Sequence, residues 1–194
     1  MNKGKFDIYI IGVGGQGVGL LSETLIRAAD HAGLPVKGVD THGLAQRGGM
    51  VVSHVRIGAG ANSPLVMPGM ADMVVALERH EALRGMNLYL ADGGTLVYYD
   101  TVWQPLNVRL KKEPMVEDAV IAKECQARNI REIRVFRSGL EDPRMQNVAV
   151  LGEICRRDLV PGVNAGHVEA ALDDLLAGPV LEKNLALLRK VMNG

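Results

Sequence analysis

The sequence predicts an α/β domain, a mainly parallel sheet with helices on both faces and a helical extension at the C-terminus. Three observations point there. An apolar, β-favouring run, FDIYII at residues 6–11, ends directly in a glycine-rich turn. Helix-like and strand-like periodicities then alternate through one chain. Hydrophobic residues form 47% of the 194 and charged ones 23%, enough apolar material for one core and too little charge for a disordered chain.

Each element follows from its own residues. Phe6 to Ile11 reads as a buried first strand. Beyond the glycines, Val18, Leu21, Leu25, Ala28 or Ala29 and Ala32 recur at steps of three and four, while Glu23, Arg27 and Asp30 lie off that stripe. This is an amphipathic helix, closed by Gly33 and Pro35. Val36 to Val39 is a second strand and Met50 to Ile57 a third. Residues 58–70, with their glycines and prolines, form a loop. Met73 to Leu77 is a short buried strand, a helix runs from Arg79 to about Leu90, Gly93 and Gly94 make a turn, and residues 95–99 return as a strand. Val116, Ala119, Val120 and Lys123 mark a helix reaching about Arg128, and residues 130–136 a further strand. Leu151, Ile154 and Cys155 mark a helix. Val168, Ala171, Leu172, Leu175 and Leu176 mark another with Asn164 as its cap, and Leu181, Leu185, Leu188 and Met192 a third. No internal repeat or low-complexity linker interrupts the chain, so residues 1–194 read as one domain.

Composition excludes several roles. Lys and Arg number 22 and Asp and Glu 22, so no net field draws the chain to nucleic acid or an anionic membrane. Arg128, Arg131, Arg134 and Arg137, with Lys111 and Lys112, read as solvated faces. Cys125 and Cys155 belong to no CxxC and are too few for an iron-sulfur cluster, which needs about four thiolates. His31, His80 and His167 lack metal-ligand spacing, so no metal site is expected. Neither a signal-peptide pattern nor an apolar run near the roughly 18 residues of a membrane span is present, which points to the cytoplasm.

Two motifs carry the chemistry. In GVGGQGVG at 12–19, Gly12, Gly14 and Gly17 satisfy GxGxxG between a predicted strand and a predicted helix, the Rossmann-like context. Glycines there let a phosphate approach backbone amides at the helix N-terminus; equally, they let strand and helix pack closely. Asp40 falls roughly 20 residues on, about where a dinucleotide site places the acid that binds ribose. A free-standing NAD(P)-dependent dehydrogenase is therefore one reading. Against it, the chain has no evident second domain and no catalytic Tyr-x-x-x-Lys pair.

The second motif, DTHGLAQRGGMV at 40–51, follows a strand end, where α/β folds place ligands. Arg47 offers a planar donor array for phosphate or carboxylate, Gly48 and Gly49 expose amides, and His42 can exchange a proton near neutral pH. A glycine-rich surface loop with an exposed Arg and His is the alternative.

Together, GVGGQGV, then THGLAQRGG, then SHVRIG resemble the gamma-type domain of the 2-oxoacid:ferredoxin oxidoreductases, the indolepyruvate branch above all. ADMVVALERHEALR at 71–84, DGGTLVYYD at 92–100, QNVAVLGEI at 146–154 and LEKNLALL at 181–188 extend the resemblance over nearly the whole chain. It implies a small subunit supporting oxidative decarboxylation of an arylpyruvate or related 2-oxoacid, with CoA as acyl acceptor and ferredoxin as electron acceptor. Thiamine diphosphate, Mg²⁺ and the iron-sulfur clusters would belong to a larger partner subunit. No GDG...N thiamine signature stands in this sequence. By the same resemblance Gly12, Gly14, Gly15, Gln16 and Gly17, with Thr41, His42, Gln46, Arg47 and Gly48, are the candidate CoA contacts or the face meeting the active site, and no catalytic residue is assigned to this chain. A third reading is a structural interaction module that binds neither CoA nor NADH. The resemblance requires the two glycine-rich turns to lie at one rim of the sheet.

Overall fold

Phe6–Val13 (β1) is the strand around which the others assemble, buried from Asp7 onward as a central strand covered on both faces must be. The computed structural model describes residues 4–42, 49–103, 110 and 115–194. Along the chain follow Val18–His31 (α1), Val36–His42 (β2), Met50–Ile57 (β3), Ala71–Ala76 (β4), Arg79–Tyr89 (α2), Leu90–Tyr99 (β5), Asp118–Ala127 (α3), Arg131–Val135 (β6), Gln146–Arg156 (α4), Ala165–Leu175 (α5) and Gly178–Met192 (α6).

The six strands lie in the order β2-β3-β1-β4-β5-β6. β1, β4, β5 and β6 run parallel to one another, whereas β3 is antiparallel to both β1 and β2. The sheet is thus mixed, with three parallel pairings among five. The reason lies in connection length. Parallel neighbours need a crossover of a dozen or more residues, and residues 43–49 between β2 and β3 are too few, so those strands pair antiparallel. β3 then fills the place beside β1 where a dinucleotide-binding fold has its second strand.

Alternation sends side chains to two cores. On one face Ile8, Ile10, Val55, Met73, Val75, Val97 and Ile133 meet α1, α4, α5 and α6. On the other, Tyr9, Ile11, Val74, Ala76, Leu96 and Tyr98 meet α2 and α3. The C-terminal helices are part of the layer that covers one face: Val168, Ala171, Leu172, Leu188 and Val191 are buried in the same core as α1. Asn164 caps α5, accepting from the His167 N–H at 3.1 Å.

Gly93 and Gly94, expected as a turn, lie inside β5. The pairing steps from Ala71–Leu90 to Met73–Thr95, a bulge that absorbs extra β5 residues, and Gly93 takes a φ of 76° within it.

Candidate functional site

At the carboxyl end of β1 the chain turns sharply into α1. Gly12 is buried because a Cβ there would come within 2.8 Å of Val18 and 3.3 Å of Leu77, so its role is close packing of strand against helix. Gly15 is exposed with a φ of 100°, and Gly17 caps α1 with a φ of 83°, left-handed conformations that favour glycine. No side chain caps α1. The Leu21 N–H closes the first helical bond on the Gly17 carbonyl, so the amides of Val18, Gly19 and Leu20 precede the hydrogen-bond ladder and carry the positive end of the helix dipole.

Gln16 is fully buried. Its Oε1 accepts the Val13 N–H at 2.7 Å and its Nε2 donates to the Leu77 carbonyl at 2.9 Å, so the side chain ties the turn to the end of β4 and points into the protein.

The two glycine-rich segments meet. The Gly14 N–H donates to the Gly49 carbonyl at 2.8 Å, and Val13 pairs with Met50 at the start of β3. Thr41 is exposed at the same rim, its Oγ1 donating to the Val52 carbonyl at 3.2 Å, and His42 pairs with Val51. The side chain of His42, and Gln46, Arg47 and Gly48, lie outside the described residues. Asp40 faces α1, where its Oδ1 accepts the Ser22 hydroxyl at 3.0 Å.

Other residues of this rim were not picked out by the sequence. Glu78, directly after β4, is buried, its Oε1 accepting the Glu81 N–H at 2.6 Å and its Oε2 lying 3.2 Å from His80 Nδ1. His80 Nε2 accepts the Val116 N–H at 3.1 Å, so the ring proton is on Nδ1 and donates to Glu78. Asp100, after β5, accepts from Arg79 at 2.6 and 2.8 Å and from Arg134 at 2.6 Å, and the carboxylate raises the Arg134 pKa further. Trp103 lies beside Gly15, and Asn147 of α4 reaches Gly17. Glu78 and Asp100 follow strand ends that face the glycine turn, a signal the sequence does contain. Asn147 has no local signal.

Residues 7–194 match the sequence profile of the pyruvate ferredoxin/flavodoxin oxidoreductase family. The chain belongs to that family. It is 34% identical over 197 residues to the indolepyruvate oxidoreductase subunit IorB of Archaeoglobus fulgidus, with 97% of this chain and 94% of that one covered. Among solved structures it resembles the gamma subunit of a keto/oxoacid ferredoxin oxidoreductase from Geobacter sulfurreducens, with a TM-score of 0.67 at 19% identity over 97% of this chain and 96% of that one. It also resembles the 2-oxoglutarate:ferredoxin oxidoreductase of Magnetococcus marinus, solved with 2-oxoglutarate, coenzyme A and succinyl-CoA, at a TM-score of 0.62 and 18% identity. There 97% of this chain corresponds to 30% of a longer one. At such identities the two structures speak for the fold.

As a member of this oxidoreductase family the chain shows a rim of backbone donors and few reactive side chains. Its cysteines stand apart: burial pushes the Cys125 thiol up to about 11 and the Cys155 thiol up to about 12. Neither is a ready thiolate at neutral pH. No described helix is long and apolar enough to cross a membrane.

Proposed function

We propose that this chain is the small subunit of an indolepyruvate-type 2-oxoacid:ferredoxin oxidoreductase, supporting conversion of an arylpyruvate to its acyl-CoA with reduction of ferredoxin. The observation that carries the reading is the bond from the Gly14 N–H to the Gly49 carbonyl, which joins both glycine motifs into one surface at the carboxyl rim of the sheet. Family membership supports the reaction class, and the adjoining glycine turns support this rim as the surface of contact.

Thiamine diphosphate, held with Mg²⁺ and the iron-sulfur clusters by a larger partner, supplies the carbanion stabilisation that decarboxylation requires. This chain holds two cysteines, which do not fit a cluster needing about four thiolates. Its own task is binding and orientation. The amides of Val18, Gly19 and Leu20, which have no acceptor among the described residues, would receive the diphosphate of CoA, with Gly15 leaving the approach clear and Gln16 fixing the backbone. Thr41 and Gly49 lie on the neighbouring face, and Met50, exposed at the start of β3, offers apolar surface to the larger subunit. The chain acts as one domain, in the cytoplasm.

The experiment is reconstitution. The isolated chain is expected to show no oxidoreductase activity, to gain it when mixed with its thiamine-bearing partner, and to take up CoA in a calorimetric titration. Activity of the chain alone, or tight uptake of NADH in place of CoA, would overturn the reading. The dehydrogenase alternative finds little support in the geometry, because β3 separates β2 from β1 and Asp40 is turned onto Ser22.

A further inference from the structure

We infer that Trp103 is the stacking platform for the adenine ring of CoA, and so the residue by which this chain selects the nucleotide end of that molecule. The inference rests on the CoA reading above and deepens it. Trp103 is the single tryptophan of the chain and is 37% exposed. Its Cζ3 lies 4.0 Å from where a Cβ on Gly15 would stand, so the indole borders the most open residue of the glycine turn. Among the described residues no aromatic ring or cation stacks on it, whereas Tyr9, His54, Tyr89, Tyr99 and Phe136 all have ring partners. A buried polar group next to Asn147 also lacks a partner. Gln146 is buried and its Nε2 has no acceptor among the described residues, one residue before Asn147, whose amide reaches Gly17. A buried donor without a partner is costly unless something else supplies the acceptor.

The chemistry of the ligand fits this placement. In CoA the adenine ring is one ribose away from the diphosphate, so a diphosphate at the first amides of α1 brings the ring within reach of an indole beside Gly15. Glycine at position 15 leaves that path free, and a flat, exposed indole accepts a purine face without needing hydrogen bonds. The pantetheine arm would leave toward the partner, where the acyl transfer takes place.

Because there is one tryptophan, the chain reports on itself. Its emission is followed while CoA, adenosine 3′,5′-bisphosphate or pantetheine is added, with calorimetry giving each affinity independently. CoA and the bisphosphate are expected to quench or shift the emission, and pantetheine to leave it unchanged. Trp103→Ala is expected to weaken CoA by about ten-fold or more, the range for loss of one stacked base, while Trp103→Phe stays within about three-fold of the native chain. Should Trp103→Ala lower the melting temperature, Trp103→Leu, apolar but without a ring, carries the same expectation. If the native chain binds CoA but the ring-less variants bind it equally well, the stacking role is overturned and the CoA reading stands. If the native chain takes up no CoA at millimolar concentration, both fall.

Discussion

The amide of Asn147 donates to the carbonyl of Gly17 at 3.2 Å, tying the first turn of α4 to the start of α1 across 130 residues of chain. Gly17 is at once the left-handed cap of α1, a neighbour of Gly15 and the surface on which Asn147 rests. The geometry of the glycine turn is therefore set partly by a helix near the other end of the sequence.

Gly17→Ala should be costly for two separable reasons. An alanine at a φ of 83° carries about 1–2 kcal/mol of backbone strain, and its Cβ would collide with the Asn147 amide. A fall in melting temperature of roughly 5–10 °C is expected for a chain of this size. Asn147→Ala removes two hydrogen bonds, the one donated to Gly17 and the one accepted from the Val148 N–H, and should cost about 1–2 kcal/mol alone. The double variant should lose clearly less than the sum of the two, because the collision is gone. Strict additivity in this cycle would mean that the two residues do not constrain each other.

Gln16→Glu tests whether that side chain acts inside the protein. The carboxylate keeps an acceptor for the Val13 N–H but has no proton for the Leu77 carbonyl, which it would face at the distance of the present 2.9 Å bond. Burial raises the pKa of such an acid. At pH 7 the variant should lose about 2–3 kcal/mol, and the gap to the native chain should narrow as acidification restores a donor. Thermal melts of both proteins from pH 7.5 to 5 measure this; a variant as stable as native at pH 7 would place Gln16 in solvent.

The same side chain shows where the sequence is legible and where it is not. β1, α1 and β3 could be read almost to the residue because their apolar periodicities and flanking glycines are local signals. The antiparallel seat of β3 could not be taken from periodicity, although the short connection at 43–49 contained the reason. Gly93 and Gly94 read as a turn because a bulge and a turn demand the same residue type, and only the pairing of β4 with β5 separates them. Gln16 entered as a candidate contact only through the family resemblance, since its own residue type among glycines decides little. It is buried only because the Leu77 carbonyl arrives from a strand 61 residues on. Asn147 and Trp103 meet the turn through the tertiary fold alone.

Asp100 joins the ends of three elements by holding Arg79 of α2 and Arg134 of β6. Asp100→Asn keeps the shape but removes the charge between two guanidinium groups, one of them half-exposed. A loss of about 2–3 kcal/mol is expected, below the cost for a fully buried pair because solvent screens Arg134. Urea unfolding should show a lower midpoint with an unchanged slope. An unchanged midpoint would mean the two arginines find other partners at no cost.

His54 should make the fold sensitive to mild acid. Its Nδ1 accepts the Val66 N–H at 3.1 Å, and its ring lies edge-on to Tyr9 and Tyr89. Burial, with the nearby Arg56 adding repulsion, holds its pKa below the ordinary value. The neutral ring is therefore the folded form. Below about pH 6.5 the unfolded chain takes up a proton that the folded chain refuses, so stability falls as pH drops through that value and levels off once the folded pKa is passed. Asp7 and Glu153, whose pKa values are lowered despite burial by Arg56 and Lys5 and by Arg156 and Arg157, also lose stability as pH falls, but only near or below about pH 4.5, so they leave this window clear. His54→Gln retains an acceptor for Val66 without a titrating group. Its melting temperature should change less between pH 7 and 5 than that of the native chain. Equal slopes would mean that His54 is protonated in the fold, a state in which Nδ1 could no longer accept from Val66.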